Sequence, residues 1–150
     1  MVQNICNGLI DKYPVFTEQF NTNLEILLEK LDGLQTYGNT QLKNLSTREL
    51  ITFHDGFSYF AHSFDLHILE AVEEESGSEA SAKELKHLIG LVQDHQLAAI
   101  FTERNGSESA ANVIARETGI PVFQLDMAMS SNDYFESMYY NINTIKEALE

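Results

Sequence analysis

The chain is poor in residues that several common kinds of site require. Its 150 residues include a single cysteine, Cys6, which excludes an internal disulfide and a zinc site built from cysteines. Nine basic residues stand against 23 acidic ones, and the formal charge of -14 repels nucleic-acid phosphate and anionic lipid. No hydrophobic run approaches the roughly 18 residues of a membrane-spanning helix. We therefore expect neither nucleic-acid binding nor membrane insertion by this chain.

Signatures of common enzymes are also missing. The sequence contains no Gly-rich phosphate loop and no G-x-S-x-G nucleophile motif. His54 and Asp55 are adjacent, but neighbours on an extended chain point to opposite faces, so they are not expected to act together as acid and base. We therefore predict a protein that is not an enzyme.

The N-terminus, MVQNICNGLIDKYP, lacks the basic segment and apolar core of a signal peptide.

Hydrophobic residues, 43% of the chain, are sufficient for a folded domain. Residues 1–45 have only helical patterns, and Cys6 is predicted to be a small buried side chain there. From Pro14 onward, apolar residues keep helical spacing over about 20 residues, or about 30 Å. Gly33 and Gly38 are predicted to end this helix.

From Ser46 onward, short apolar runs alternate with helical patterns. The predicted strands are 50–53, 66–72, 98–101 and 121–125. The predicted helices are 57–64, 81–95, 107–118 and 133–150. This alternation is typical of an α/β fold, here a four-stranded parallel sheet with helices on both faces, preceded by a long N-terminal amphipathic helix. We divide the chain into a helical segment, 1–45, and an α/β domain, 46–150.

Polar side chains follow every predicted strand. His54 follows the first strand, Glu73–Glu75 the second, Thr102 and Glu103 the third, and Asp126 the fourth. Because the carboxyl ends of parallel strands share one edge of the sheet, these groups are expected there together. One imidazole and several carboxylates form a donor set suited to a divalent metal ion.

Each of these residues also has an ordinary structural interpretation. A lone histidine at a strand end is often structural, Glu73–Glu75 can be a solvated loop, and Asp126 can cap a helix, although residues 130–133 are better placed to do so. Three of the five histidines lie within fourteen residues, but His62 falls about two turns beyond His54 on the predicted helix. His62 and His67 are therefore predicted to be surface residues, and so are the two histidines of the helix 81–95, His87 and His95.

Four segments, in order, resemble the zinc and manganese ABC-transporter solute-binding proteins, the ZnuA-like group. FHDGFSYFAHSFDL (53–66) is similar to the family's His-x-x-Phe/Tyr-x-Tyr-Phe segment. SEASAKELKHLIGLVQDHQLAAIFTE (78–103) is similar to its segment ending Ile-Phe-x-Glu, and SESAANVIARETGIPVFQLD (107–126) to its Glu-Thr-Gly…Leu-Asp segment. YFESMYYNINTIKEAL (134–149) resembles its closing helix.

The resemblance implies an architecture and a site. Family members have two α/β lobes joined by a long helix, with the metal held between the lobes. Residues 1–45 would then correspond to the connecting helix and 46–150 to the carboxyl-terminal lobe. His54 and Asp126 would be metal ligands, and Glu103 would lie near the site, where it could hydrogen-bond an imidazole ligand.

The resemblance also implies partners and a location. The cargo would be zinc, or alternatively manganese, and an ABC permease would receive it. A first lobe or a second copy would be needed to complete the coordination, because His54 and Asp126 supply only two ligands. The family works at the extracellular or periplasmic face of the cytoplasmic membrane.

Two other functions remain open from the residues. The chain could be an interaction module that docks a partner through its long helix, whose apolar stripe includes Phe16, Phe20 and Leu24. It could also be a metallohydrolase with a metal on His54, a function that the single histidine at the sheet edge disfavours.

Overall fold

The computed structural model describes residues 1–72, 80–128 and 133–150. Glu73–Glu75 therefore lie outside the described residues. The chain divides into two compact units, Met1–Tyr37 and Gly38–Glu150. In the described part of the chain, no helix is both long enough and apolar enough to cross a membrane.

The first unit is helical. It contains α1 (Val2–Lys12), a 3-10 turn (Pro14–Phe16) and the greater part of α2 (Thr17–Gln41). Pro14 stands at the first position of the 3-10 turn, where its missing N–H is not needed. Cys6 is buried, as predicted, and its Sγ lies 3.6 Å from the carbonyl oxygen of Phe20.

Helix α2 is longer than predicted. It has 25 residues and passes through both Gly33 and Gly38, so the prediction that these glycines end the helix is wrong. A Cβ added at Gly38 would overlap the ring of Phe64. Gly38 therefore permits a close approach between this end of α2 and an aromatic ring, and it does not terminate the helix.

The second unit contains a four-stranded parallel sheet, as predicted. Its strands are β1 (Glu49–Thr52), β2 (His67–Ala71), β3 (Ile100–Glu103) and β4 (Val122–Leu125). The strand order is β2-β1-β3-β4, and every neighbouring pair is parallel. The chain thus adds β2 on one side of β1 and then β3 on the other, which makes the β1/β3 boundary a topological switch point.

Strand β3 begins two residues later than the predicted strand 98–101. The preceding helix closes with Gln96 in a left-handed conformation, φ 52°, and with a hydrogen bond from Leu97 N–H to the Val92 carbonyl. This turn delays the strand. As a result, Glu103 is the last residue of β3, and Arg104 is the first residue beyond it.

Four helices follow the strands in alternation. They are α3 (Ser58–Ser63), α4 (Ala82–Asp94), α5 (Ser109–Thr118) and α6 (Tyr134–Leu149). The predicted capping box at Ser81 and Glu84 starts α4, and Gly119 ends α5 with φ 80°. Asp133 caps α6 through a 2.8 Å hydrogen bond from Phe135 N–H, within the region where capping was expected.

The helices bury the sheet through two sets of side chains. Ile51 and Phe53 point to the face packed by α4 and α5, whose buried residues include Leu88 and Ile114. Leu50 and Thr52 alternate with them and point to the opposite face. Helix α6 packs against β4 and buries Ile142, among others. Side chains on both faces of the sheet are therefore buried, and this packing holds the ends of the strands in place.

Candidate metal site at the carboxyl edge of the sheet

His54 stands two residues beyond β1 and is held by its own loop. Its backbone is extended, and its Nδ1 accepts a hydrogen bond of 2.9 Å from Gly56 N–H. Thr52 Oγ1 donates to the His54 carbonyl at 3.0 Å. Because Nδ1 is an acceptor, the neutral ring carries its proton on Nε2. The imidazole is exposed, and in this tautomer its Nε2–H is a hydrogen-bond donor.

Asp126 is the first residue beyond β4, and it is buried, with 1% of its surface exposed. Its Oδ1 accepts a 2.8 Å hydrogen bond from Ala128 N–H. Its backbone is clasped by the side chain of Asn141 on α6, which accepts from Asp126 N–H at 2.7 Å and donates to the Asp126 carbonyl at 2.8 Å. The carboxylate is thus fixed in direction by its neighbours.

The segments that carry His54 and Asp126 meet at Gly56. A Cβ added at Gly56 would overlap the methyl group of Met127 and would lie 3.1 Å from His54 Nδ1. Met127 directly follows Asp126. Because β3 lies between β1 and β4, the two strand ends are roughly 10 Å apart, and the loops after them close this gap. The structure therefore brings the two predicted ligands to one edge of the sheet.

Asp126 also has a cationic partner that the sequence did not suggest. Arg104 Nη1 lies 3.2 Å from Asp126 Oδ2, and the guanidinium carbon lies 4.9 Å from the ring centre of Tyr140. The Arg104 side chain is 47% exposed, whereas that of Asp126 is 1% exposed. The ion pair compensates the burial of the carboxylate.

Glu103 lies at the same edge, as the half-buried last residue of β3. The structure places it one residue before Arg104, and its carbonyl oxygen accepts a hydrogen bond of 2.9 Å from Gly106 N–H. A role for its carboxylate beside an imidazole ligand stays a prediction.

The remaining histidines lie elsewhere. His62 and His67 are exposed, as predicted, and line a separate surface depression of about 580 Å³ from which His54 is absent. His87 and His95 are exposed on α4 and at its end. Each also has a carboxylate partner: His87 lies 3.2 Å from Glu70, and His95 lies 2.9 Å from Glu49.

The two predicted ligands are an imidazole and a carboxylate, group types that in general bind zinc and, with further oxygen ligands, manganese. Within residues 1–72, 80–128 and 133–150, no group of three or more His, Cys, Asp or Glu side chains could hold a metal ion.

Two residues of this site, Arg104 and Asn141, were not found by sequence reasoning. Arg104 was correctly placed in a polar loop, but nothing in the local sequence marks it as the partner of a carboxylate 22 residues later. Asn141 had a detectable signal: it is an amide in the apolar stripe of α6, fully buried between buried residues such as Ile142 and Ile145.

The comparisons with known proteins agree with this fold. The fold is that of the metal-binding solute-receptor class. The sequence model of the ZnuA family, described as "Zinc-uptake complex component A periplasmic", matches residues 1–148. The chain belongs to the ZnuA family.

The relatives found are longer proteins. A putative metal-binding protein of Treponema pallidum is 29% identical over 99% of this chain and 48% of its own length. A zinc-binding protein AdcA of Streptococcus pyogenes is 27% identical over 97% of this chain and 30% of its own length. The chain thus spans about half the length of the first relative and less than a third of the second.

Solved structures also match nearly all of this chain and little more than half of their own length. A crystal structure of ZnuA superposes with a TM-score of 0.85 at 29% identity, over 99% of this chain and 55% of that one. The laminin-binding protein Lbp of Streptococcus pyogenes superposes with a TM-score of 0.84 at 25% identity, over 98% of this chain and 59% of that one.

Proposed function

We propose that this chain acts as a metal-binding lobe of a substrate-binding protein that captures zinc, or alternatively manganese, for uptake. His54 and Asp126 are the ligands, and the role is binding without catalysis. The observation that carries the proposal is the contact at Gly56, which joins the loop of His54 to the loop of Asp126 at the sheet's switch point.

The His54 imidazole must change tautomer to bind the ion at Nε2. Its Nδ1 accepts from Gly56 N–H, so the proton of the neutral ring is on Nε2. Metal binding at Nε2 would move this proton to Nδ1 and break the hydrogen bond from Gly56 N–H, so in the metal-free chain the ring direction is set by its own loop.

Coordination requires ligands beyond those two. We propose that residues 1–45 correspond to the connecting helix of a two-lobe receptor and 46–150 to its carboxyl-terminal lobe. A first lobe or a second copy then supplies the remaining ligands, and an ABC permease at the extracellular or periplasmic face of the membrane receives the metal. The similar proteins include a putative metal-binding protein about twice as long and zinc-binding proteins more than three times as long, which supports this arrangement.

Zinc is the first choice of cargo because a neutral imidazole is a good zinc ligand. Glu103 and Asp126 at the same edge would favour manganese if both carboxylates took part, because manganese prefers oxygen donors. Parallel titrations with the two ions separate these cases.

Isothermal titration of the metal-free chain with zinc and with manganese tests the proposal. We expect weak zinc binding, well short of nanomolar affinity, because water fills the positions that the chain leaves open. His54→Ala should abolish the binding and Asp126→Asn should reduce it. His62→Ala is the matched control, since this histidine is exposed on a different surface, and it should bind like the unmodified chain.

Three outcomes would contradict the proposal. Zinc affinity unchanged in His54→Ala would remove His54 from the site, and loss of binding in His62→Ala would move the site to the other depression. Nanomolar affinity in a chain proven monomeric by ultracentrifugation would overturn the two-ligand arrangement.

A further inference from the structure

Arg104 is placed where a bound metal ion would compete with it. Its backbone is fixed at the sheet edge, because its N–H donates to the Leu125 carbonyl at 2.8 Å. From there its guanidinium reaches Asp126 Oδ2 at 3.2 Å. The cation therefore occupies the same carboxylate that the proposed function assigns to the metal.

The two charged side chains of this ion pair differ in how freely they can move. Asp126 is buried, its carboxylate accepts from Ala128 N–H, and its backbone is held by the Asn141 amide, so this residue has little room to move. Arg104 is a long side chain, about half exposed, lying over the ring of Tyr140, which is 38% exposed. Displacement must therefore come from the arginine, which can swing outward into solvent.

The guanidinium also keeps its charge under all ordinary conditions. A divalent ion on Asp126 would stand within several ångströms of this fixed positive charge, at a buried site where screening by salt is weak. Either Arg104 leaves the carboxylate or the ion is bound against its repulsion. Both cases lower the affinity for the metal.

We propose that Arg104 is a built-in competing cation, which neutralises Asp126 while the metal is absent and weakens metal binding to a level that permits release. This inference rests on the proposed function, because it requires the metal to bind Asp126. A receptor that hands its cargo to another protein needs an affinity that is not too high, and a displaceable arginine supplies such a limit.

Zinc titration of two charge-matched variants tests the inference. Arg104→Gln removes the competing charge and should bind zinc at least about tenfold more tightly than the unmodified chain, a factor equal to about 1.4 kcal/mol. Arg116→Gln removes an exposed arginine on α5, gives the same net charge, and should change the affinity less than about twofold. Adding Asp126→Asn to Arg104→Gln should remove the gain.

An affinity of Arg104→Gln equal to or lower than that of the unmodified chain would overturn the inference. A lower value would mean that Arg104 positions Asp126 for the metal. The proposed function fails in a different way: there, His54→Ala and Asp126→Asn bind zinc as well as the unmodified chain does.

A second measurement covers the case in which Arg104→Gln does not fold. In the unmodified protein labelled with ¹⁵N, saturating zinc should shift the Nε–H signal of Arg104 and speed rotation of its guanidinium, while the signal of Arg116 stays in place. An unchanged Arg104 signal at saturation would overturn the inference without any variant.

Discussion

The side-chain amide of Asn141 holds the backbone of Asp126 from both directions. Its Oδ1 accepts from Asp126 N–H at 2.7 Å, and its Nδ2 donates to the Asp126 carbonyl at 2.8 Å. Both residues are buried. β4 is an edge strand, so one side of it has no neighbouring strand to bond its backbone. The Asn141 side chain makes these hydrogen bonds just beyond β4, and it thereby fixes the backbone of the residue proposed to bind the metal.

The first prediction concerns this clasp. Asn141→Ala removes two hydrogen bonds to buried backbone groups of Asp126, so the free energy of unfolding should fall by about 2–4 kcal/mol. Urea denaturation followed by circular dichroism measures the loss. The exposed Asn112 on α5 is the matched control, and Asn112→Ala should change stability by no more than about 0.5 kcal/mol. Similar losses in both variants would show that the clasp contributes little.

The second prediction compares two glycines of α2. Gly38→Ala places a methyl group against the buried ring of Phe64 and should lower the free energy of unfolding by about 1–3 kcal/mol. At Gly33 nothing lies within 4 Å of an added Cβ, so Gly33→Ala should raise stability by about 0.5–1 kcal/mol through helix propensity. Thermal and denaturant unfolding of the two variants check the opposite signs. A stabilising Gly38→Ala would contradict the close approach.

The third prediction concerns pH and the capping box of α4. The side-chain hydrogen bond with Ser81 and then the backbone hydrogen bond of Ser81 hold the pKa of Glu84 below its ordinary value of 4.5. A carboxyl group whose pKa is lowered by folding stabilises the protein above its unfolded-state pKa. That contribution is lost as the pH falls through the lowered, folded-state pKa.

Carbon-detected NMR titration of the Glu84 carboxyl group measures this pKa directly. Ser81→Ala removes the hydroxyl partner, so it should raise the Glu84 midpoint and lower helix stability by about 0.5–2 kcal/mol at neutral pH. Glu84→Gln should remove the corresponding part of the pH dependence of unfolding below pH 4.5. An identical midpoint in Ser81→Ala and in the unmodified protein would refute the assignment.

Much of this fold follows from local patterns in the sequence. The strand and helix order was predicted because apolar spacing and caps are properties of a few consecutive residues: Ser81 with Glu84, and Gly119 after α5, mark helix ends directly. The positions of His54 and Asp126 just past strands were visible for the same reason. The error at Gly38 arose because glycine signals both helix ends and close packing, and only the ring of Phe64 distinguishes the two.

The sequence by itself determined that the chain forms a parallel α/β sheet with polar groups after its strands, because local periodicity encodes secondary structure and burial. The tertiary structure alone decided the strand order β2-β1-β3-β4, the meeting of the two loops at Gly56, and the partners of Asp126. Arg104 and Asn141 lie 22 and 15 residues from Asp126 along the chain. Contacts across such separations leave no periodic trace in the sequence, because they depend on how the sheet is assembled.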